Sequence, residues 1–172
     1  SGDRLAAMLN DASARLSDVR GTTTDRLGSD VDQFNGLATQ VGDLNREITL
    51  AEAGGQSAPA LRDERDRVLD TLSGLATVQI VRRGDGSAAV LLDGSSIVDG
   101  DSVRALDASG GTPATLRIVG SVQQIGLAGG TIGAAMDVLN QVIPDTRDRL
   151  DGLARALADT TNELHEQGTA KL

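Results

Sequence analysis

No cysteine occurs in the chain's 172 residues. Disulfides, thiolate metal sites and a cysteine nucleophile are therefore excluded. Aromatic residues are nearly as scarce: Phe34 stands alone, with no Trp and no Tyr. Aromatic side chains bury roughly 150–250 Å² each and anchor thick cores and ligand pockets. Any core here must instead be filled by Leu, Val, Ile and Ala, which suits a thin core between helices and excludes a cofactor pocket with aromatic walls. No Pro precedes Pro59, so nothing of that kind breaks the first third of the chain. Positive charge is also in deficit, with 16 Lys and Arg against 25 Asp and Glu, a formal net charge of -9. An acidic surface repels phosphate backbones and anionic lipid, which argues against nucleic-acid and membrane partners. No apolar run approaches the roughly 18–20 residues a membrane span needs. No signal-peptide pattern opens the chain, which begins inside a helical pattern and is expected to be a segment of a longer protein.

What is present is helical periodicity. Leu5, Leu9, Ala12, Leu16 and Val19 step by four, three, four and three, a heptad seam. It continues through Leu27, Val31, Phe34, Leu37, Val41, Leu44 and Ile48. Gly21, followed by Thr22, Thr23 and Thr24, is the expected bend. Run straight to Ala53, this helix would be roughly 75 Å long. A stripe of that length needs partner helices. Gly54 and Gly55 end the first helix. Ser57 is read as the cap of the second and Pro59 as part of its first turn. Leu61, Val68, Leu72 and Leu75 share one face, with Arg65 on the seam between them. A third helix is expected from near Thr131 through Leu164 to Gly168, kinked at Pro144.

Between Thr77 and Ala128 the period changes to two. Val78 and Ile80, then Ala88, Val90 and Leu92, alternate across Gly84-Asp85-Gly86. Ile97 and Val98, Val103 to Leu106, Leu116 to Val119, and Val122 to Leu127 read as further strands. Gly and Asp turns between them indicate an antiparallel meander. The chain is thus read as α+β: an elongated antiparallel bundle of three long helices, with a small antiparallel β-rich subdomain inserted between helices two and three. Residues 1–76 and 129–172 would form a helical stalk and residues 77–128 an outward-projecting insert.

Chemistry is hard to find. His165 is the only histidine and lies in a polar stretch near a helix end, where a surface or packing role fits better than general-base work. Asp99-Gly100-Asp101 places two carboxylates around a Gly, but the ligand spacing of a calcium loop is missing and the same residues serve hairpin turns. Gly126, Gly129 and Gly130 lack the pattern of a phosphate loop. The interleaved charges Arg62-Asp63-Glu64-Arg65-Asp66-Arg67 read as a solvated helix face, or as a register-setting or subunit-contacting one. Arg65, on the seam, needs a carboxylate partner or a route to solvent. No catalytic, cofactor or metal residues are assigned.

The stretch LRDERDRVLDTLSGLATVQIV, Leu61 to Val81, resembles a segment of the bacterial flagellar hook-associated protein type 1 family. VDQFNGLATQVGDLNREI before the Gly-Gly break, the Gly-bounded insert, and GGTIGAAMDVLNQVIPDTRDRLDGLARALADTTNELHEQG at the end are similar to it in the same order. The resemblance covers nearly the whole chain and implies a central fragment without the terminal helices that build the flagellar tube. It implies a non-enzymatic adaptor ring joining hook to filament, outside the cell, exported without a cleavable signal. Neighbouring copies, the hook protein and the second junction protein would be its partners. With the terminal helices absent, this chain is expected to be a monomer in solution. Flagellin or the second junction protein, a coiled-coil extracytoplasmic sensor module, and a glycan-cleaving enzyme using Asp99 or Asp101 are the competing readings.

Overall fold

The structure is a computed structural model that describes residues 2–122, 124–126 and 129–169; the side chains of residues 3 and 163–169 are outside that description. It is α+β with antiparallel sheets. The first helix, α1 (Gly2–Ala53), is unbroken. The expected bend is not a break: helical hydrogen bonding continues through Gly21–Thr24 because no proline or inserted group interrupts it. An ideal Cβ on Gly21 would meet nothing within 4 Å. Gly21→Ala should therefore raise stability by about 1 kcal/mol through helix propensity alone. Urea denaturation checks this, and an unchanged midpoint would mean that Gly21 is needed as it stands.

From its middle onward α1 buries one stripe: Leu27, Val31, Phe34, Ala38, Val41, Leu44 and Ile48 are all at most 7% exposed. Each of these side chains except the Ala38 methyl contributes roughly 1.5–3 kcal/mol by leaving water. Nearer the N-terminus the seam is only half covered. Leu9, Ala12 and Leu16 are half-buried, whereas Leu5 and Val19 are exposed.

The Gly-Gly break holds, with the Gln56 N–H donating to the Ala51 carbonyl at 3.0 Å and Gly55 at φ +74°. Helix α2 (Pro59–Leu75) follows, with Pro at its start. Ser57 does not cap it. Ala58 holds that position without a side-chain bond, and its buried methyl contributes packing instead.

Strands β1 (Val78–Arg82), β2 (Ala88–Leu92), β3 (Ser95–Asp99) and β4 (Ser102–Val103) form an antiparallel meander in that order. Strands β5 (Leu106–Ser109) and β6 (Thr115–Ile118) form a separate two-stranded sheet. The expected strand Val103–Leu106 is thus divided between two sheets. The expected strand Val122–Leu127 does not form among the described residues. Gly120 turns the chain at φ +81°, Val122 is 99% exposed, and only Ile125 of the described residues there is buried. One bridge, Gln124 to Arg117, remains. Leu127 lies outside the described residues.

The last helical run begins as α3 (Gly130–Asp137), widens into a π turn at Val138–Val142, and continues as α4 (Ile143–Thr169). The widening stands where a kink at Pro144 was expected, since that residue has no N–H to give to the Asn140 carbonyl. Leu164, the last seam position, lies outside the described side chains.

The insert shares its core with the helices. Phe34, Val41, Leu72, Val90, Ile97, Leu116, Ile132 and Leu139 belong to one contiguous apolar cluster. The sheets lie against α1 and do not stand away from it, because their inward alternation has no second layer of its own to bury against.

Candidate functional site

Apolar contact and alternation hold the sheets against the helix seam. Three asparagines on the helices add directional bonds to it, each gripping both backbone groups of one residue of the insert. A side-chain amide carries a donor and an acceptor side by side, so it can copy the two-bond pairing of a neighbouring strand. Asn35 on α1 donates to the Leu106 carbonyl at 2.9 Å and accepts from the Leu106 N–H at 2.8 Å. Asn140, in the π turn, donates to the Ala114 carbonyl at 3.0 Å and accepts from its N–H at 2.7 Å. Asn45 donates to the Ala88 carbonyl at 2.7 Å and accepts from the Ala88 N–H at 2.9 Å. Its Nδ2 also donates to the Gly100 carbonyl at 2.7 Å, tying the β3–β4 turn to the same point.

Asn45 is only 1% exposed and stands beside Arg65, at 3% exposure. The Arg65 Nη1 donates to Asn45 Oδ1 at 3.0 Å and to the Gly86 carbonyl at 2.6 Å. Of the two expectations for Arg65, a carboxylate partner or a route to solvent, neither is met: it is 3% exposed and no carboxylate is in hydrogen-bond contact with it. Two neutral oxygens take the carboxylate's place, because α2 turns this position towards the β1–β2 turn, where a backbone carbonyl is offered. Burial pulls the guanidinium below its ordinary pKa, against an opposing pull from Asp66. The pair Arg62–Glu52, at 2.6 Å, lies over Gly86, where a Cβ would sit 2.5 Å from a Glu52 oxygen. Gly86 at φ +85° is therefore required by its backbone, with the Glu52 and Ile48 side chains lying close over it. The mixed charge run is thus partly register-setting: Arg62, Arg65 and Asp66 reach other elements, the last through Arg82 at 3.0 Å. Asp63, Glu64 and Arg67 are exposed.

The same turn holds Asp85, which accepts from the Ser87 hydroxyl at 2.7 Å and the Ser87 N–H at 2.9 Å. These bonds hold its carboxyl below the usual carboxylate range. A depressed folded pKa gives stability that is present above the unfolded value and lost as pH falls through the folded one. The melting temperature should therefore fall on acidification below about pH 4, and Asp85→Asn should remove part of that fall. Thermal melts of both proteins across this range check it; parallel curves would show that the turn does not titrate with folding.

The other residues singled out in the sequence do not converge. Asp99 pairs with Arg83, raising the Arg83 pKa through that hydrogen bond. Asp101 is exposed in the β3–β4 turn, where Gly100 has φ +62°. The Gly126 N–H donates to Asp93 Oδ2 at 3.0 Å. Gly129 and Gly130 seat the start of α3 against the end of α2. The His165 side chain lies outside the described residues. Among the described residues no group of three or more His, Cys, Asp or Glu could hold a metal ion. No helix is long and apolar enough to cross a membrane, again among the described residues. An open depression of about 540 Å³, lined by Thr77, Gln79, Leu91, Asp93 and neighbours, presents one carboxylate and no opposing acid or base. The asparagines were not singled out from sequence. Their one signal is a poor helix former recurring beside seam positions, Asn35 after Phe34 and Asn45 after Leu44.

Comparison with known proteins agrees with this architecture. The family model for the flagellar hook-associated protein FlgK helical domain matches residues 1–171. Flagellar hook-associated protein 1 of Escherichia coli strain K12 is 30% identical over 155 residues, covering 83% of this chain and 28% of that protein. Its counterpart in Bacillus subtilis strain 168 is 23% identical over 202 residues, covering 99% of this chain and 40% of that protein. The solved structure of the flagellar hook junction protein FlgK from Burkholderia pseudomallei superposes with a TM-score of 0.67 at 28% identity, over 79% of this chain and 27% of that one. The chain therefore spans well under half the length of these relatives. With the matched residues running from one end of α1 to the end of α4, the chain belongs to the family of the flagellar hook-associated protein FlgK helical domain.

Proposed function

We propose that this chain is the helical segment of a structural adaptor subunit that joins the flagellar hook to the filament, with no catalytic turnover. The observation that carries the reading is the coincidence of family and fold over the same residues. Residues 1–76 and 129–172 act as the stalk, an elongated antiparallel bundle of three helices, and residues 77–128 are the insert seated on its side. A continuous helix suits transmission of bending and torque, since load passes along packed side chains without a loop to absorb it. The three amide grips keep the insert from sliding along α1 under that load. Asp99 and Asp101 serve turn and ion pair in this reading and do no acid–base work.

The partners are neighbouring copies in a ring, the hook protein and the second junction protein, and the site of action is outside the cell, reached without a cleavable signal. The chain by itself is monomeric. The end of α1 and α4 farthest from the sheets leaves Leu5, Met8 and Leu153 exposed. Such a bare two-helix face fits assembly with helices that this chain does not contain.

Antibodies raised against the chain, used with gold labelling on intact flagella, test the proposal. A narrow band at the hook–filament boundary is the expected result. Labelling along the filament would instead make the protein a filament subunit, and labelling of the cell envelope would support the sensor reading.

A further inference from the structure

Two weak points in the helices stand at the same height. In the last helical run, Pro144 gives no N–H, and the π turn Val138–Val142 precedes it, with the Ile143 N–H reaching the Val138 carbonyl. In α1, Gly21 has no neighbour for a Cβ. The hydroxyls of Thr22 and Thr23 there bond the Asp18 and Val19 carbonyls, which loosens a helix locally. Thr23 and Arg26 of α1 line one shallow cavity with Thr131, Ala134 and Ala135 of α3 and Val138, the first residue of the π turn, so the π turn begins beside the threonine stretch of α1. On one side of this level lies the shared core. On the other, α1 and α4 continue as a two-helix arm with mostly exposed side chains, where Leu9 and Leu157 line one open depression between them.

A single loop of the insert, between β5 and β6, is fastened to both helices at this level. Arg20 Nη2 donates to the Gly110 carbonyl at 3.1 Å, the Gly111 carbonyl at 2.5 Å and Thr112 Oγ1 at 2.8 Å. Thr24 packs against the Cα of Gly110 so closely that a Cβ would not fit. At the far end of the loop, Ala114 is gripped through both backbone groups by Asn140, inside the π turn itself. We propose that residues 109–114 are a splint across a hinge. The loop ties the two weak points together, fixes the angle between the two-helix arm and the body, and lets the arm swing when its hold is released.

The absence of cysteine allows clean labelling of the full chain. Ser13→Cys on the arm and Ser102→Cys on β4 place spin labels at two exposed positions, and pulsed dipolar spectroscopy reads the distance between them. The otherwise unaltered chain should give one narrow distribution. Arg20→Ala, a substitution outside the core, should raise a second, arm-displaced population about fivefold. Adding Asn140→Ala should raise it further. Pro144→Ala, which restores the missing donor, should shrink it in the Arg20→Ala background. An identical distribution in Arg20→Ala would overturn the proposal, even if the melting temperature fell, since the loop would then be ordinary packing. A broad distribution before any substitution at Arg20 would also overturn it. So would a Pro144→Ala variant with an unchanged displaced population.

Discussion

Replacing Asn45 with Ala should lower the unfolding free energy by about 4 kcal/mol. The side chain is 1% exposed and takes part in four hydrogen bonds. Its loss leaves the N–H and carbonyl of Ala88 unpaired in a buried setting, frees the Gly100 carbonyl, and takes one of two oxygens from the buried Arg65. A buried polar group left without a partner costs about 1–3 kcal/mol, and more when charged. Part of this is recovered where the part-buried Gly100 carbonyl reaches water. Set against a total of about 5–15 kcal/mol for an ordinary domain, one amide then decides much of the stability. Asn45→Asp separates its roles. It keeps an acceptor and gives Arg65 a carboxylate, but it sets an anion against two carbonyls, so its cost should fall below that of Ala. Urea denaturation measures both. A cost for Ala below about 1 kcal/mol would show that water replaces the amide and that apolar packing alone holds the insert.

The prominence of Asn45 explains what the sequence could and could not show. The buried stripe of α1 was legible because Leu27, Val31, Phe34, Val41, Leu44 and Ile48 repeat with the helix, and the same physics that spaces them buries them. Alternation at Ala88, Val90 and Leu92 located β2, although Ala89 and Leu91 between them are also covered, one buried and one half-buried, since both faces of β2 meet protein. The Gly-Gly break was legible from composition alone. An amide grip has no period. Its partner is a backbone group distant in sequence, 71 residues away for Asn35 and 43 for Asn45, and only the completed fold brings it near. The reading of Arg65 failed for a related reason. A seam guanidinium calls for a carboxylate or a route to solvent, whereas the Arg65 Nη1 meets an amide oxygen and the Gly86 carbonyl, which no side-chain pattern announces. The division of Val103–Leu106 between two sheets is similarly invisible, because apolar residues on either side of a corner look like one strand.

Gly130→Ala should cost about 4 kcal/mol, from two sources that a flexible neighbour cannot relieve. The residue has φ +70°, a left-handed backbone that costs an L side chain about 1–2 kcal/mol. A Cβ there would also sit 2.5 Å from the Leu75 carbonyl carbon and 2.6 Å from the Ala76 nitrogen. Both atoms are backbone at the end of α2, tied by the Ala76 N–H to the Leu72 carbonyl at 3.3 Å. Overpacking against a fixed wall adds about 1–3 kcal/mol, and relief requires α3 to lift, drawing Ile132, Ala135 and Leu139 from the core. Gly129→Ala is the control. It shares a positive φ of 84°, but its Cβ meets the Thr77 side chain, which can rotate away. With ψ at 176° its backbone lies in a region that is essentially glycine-only, so it should cost about 1–3 kcal/mol. Equal losses for the two variants, read from urea midpoints at constant slope, would attribute everything to backbone strain and leave the seat of α3 without energetic weight. A larger loss at Gly130 would show that this glycine is kept for close approach. Since α3 runs directly into the π turn and α4, the same contact would then set where the last helix begins its course along α1.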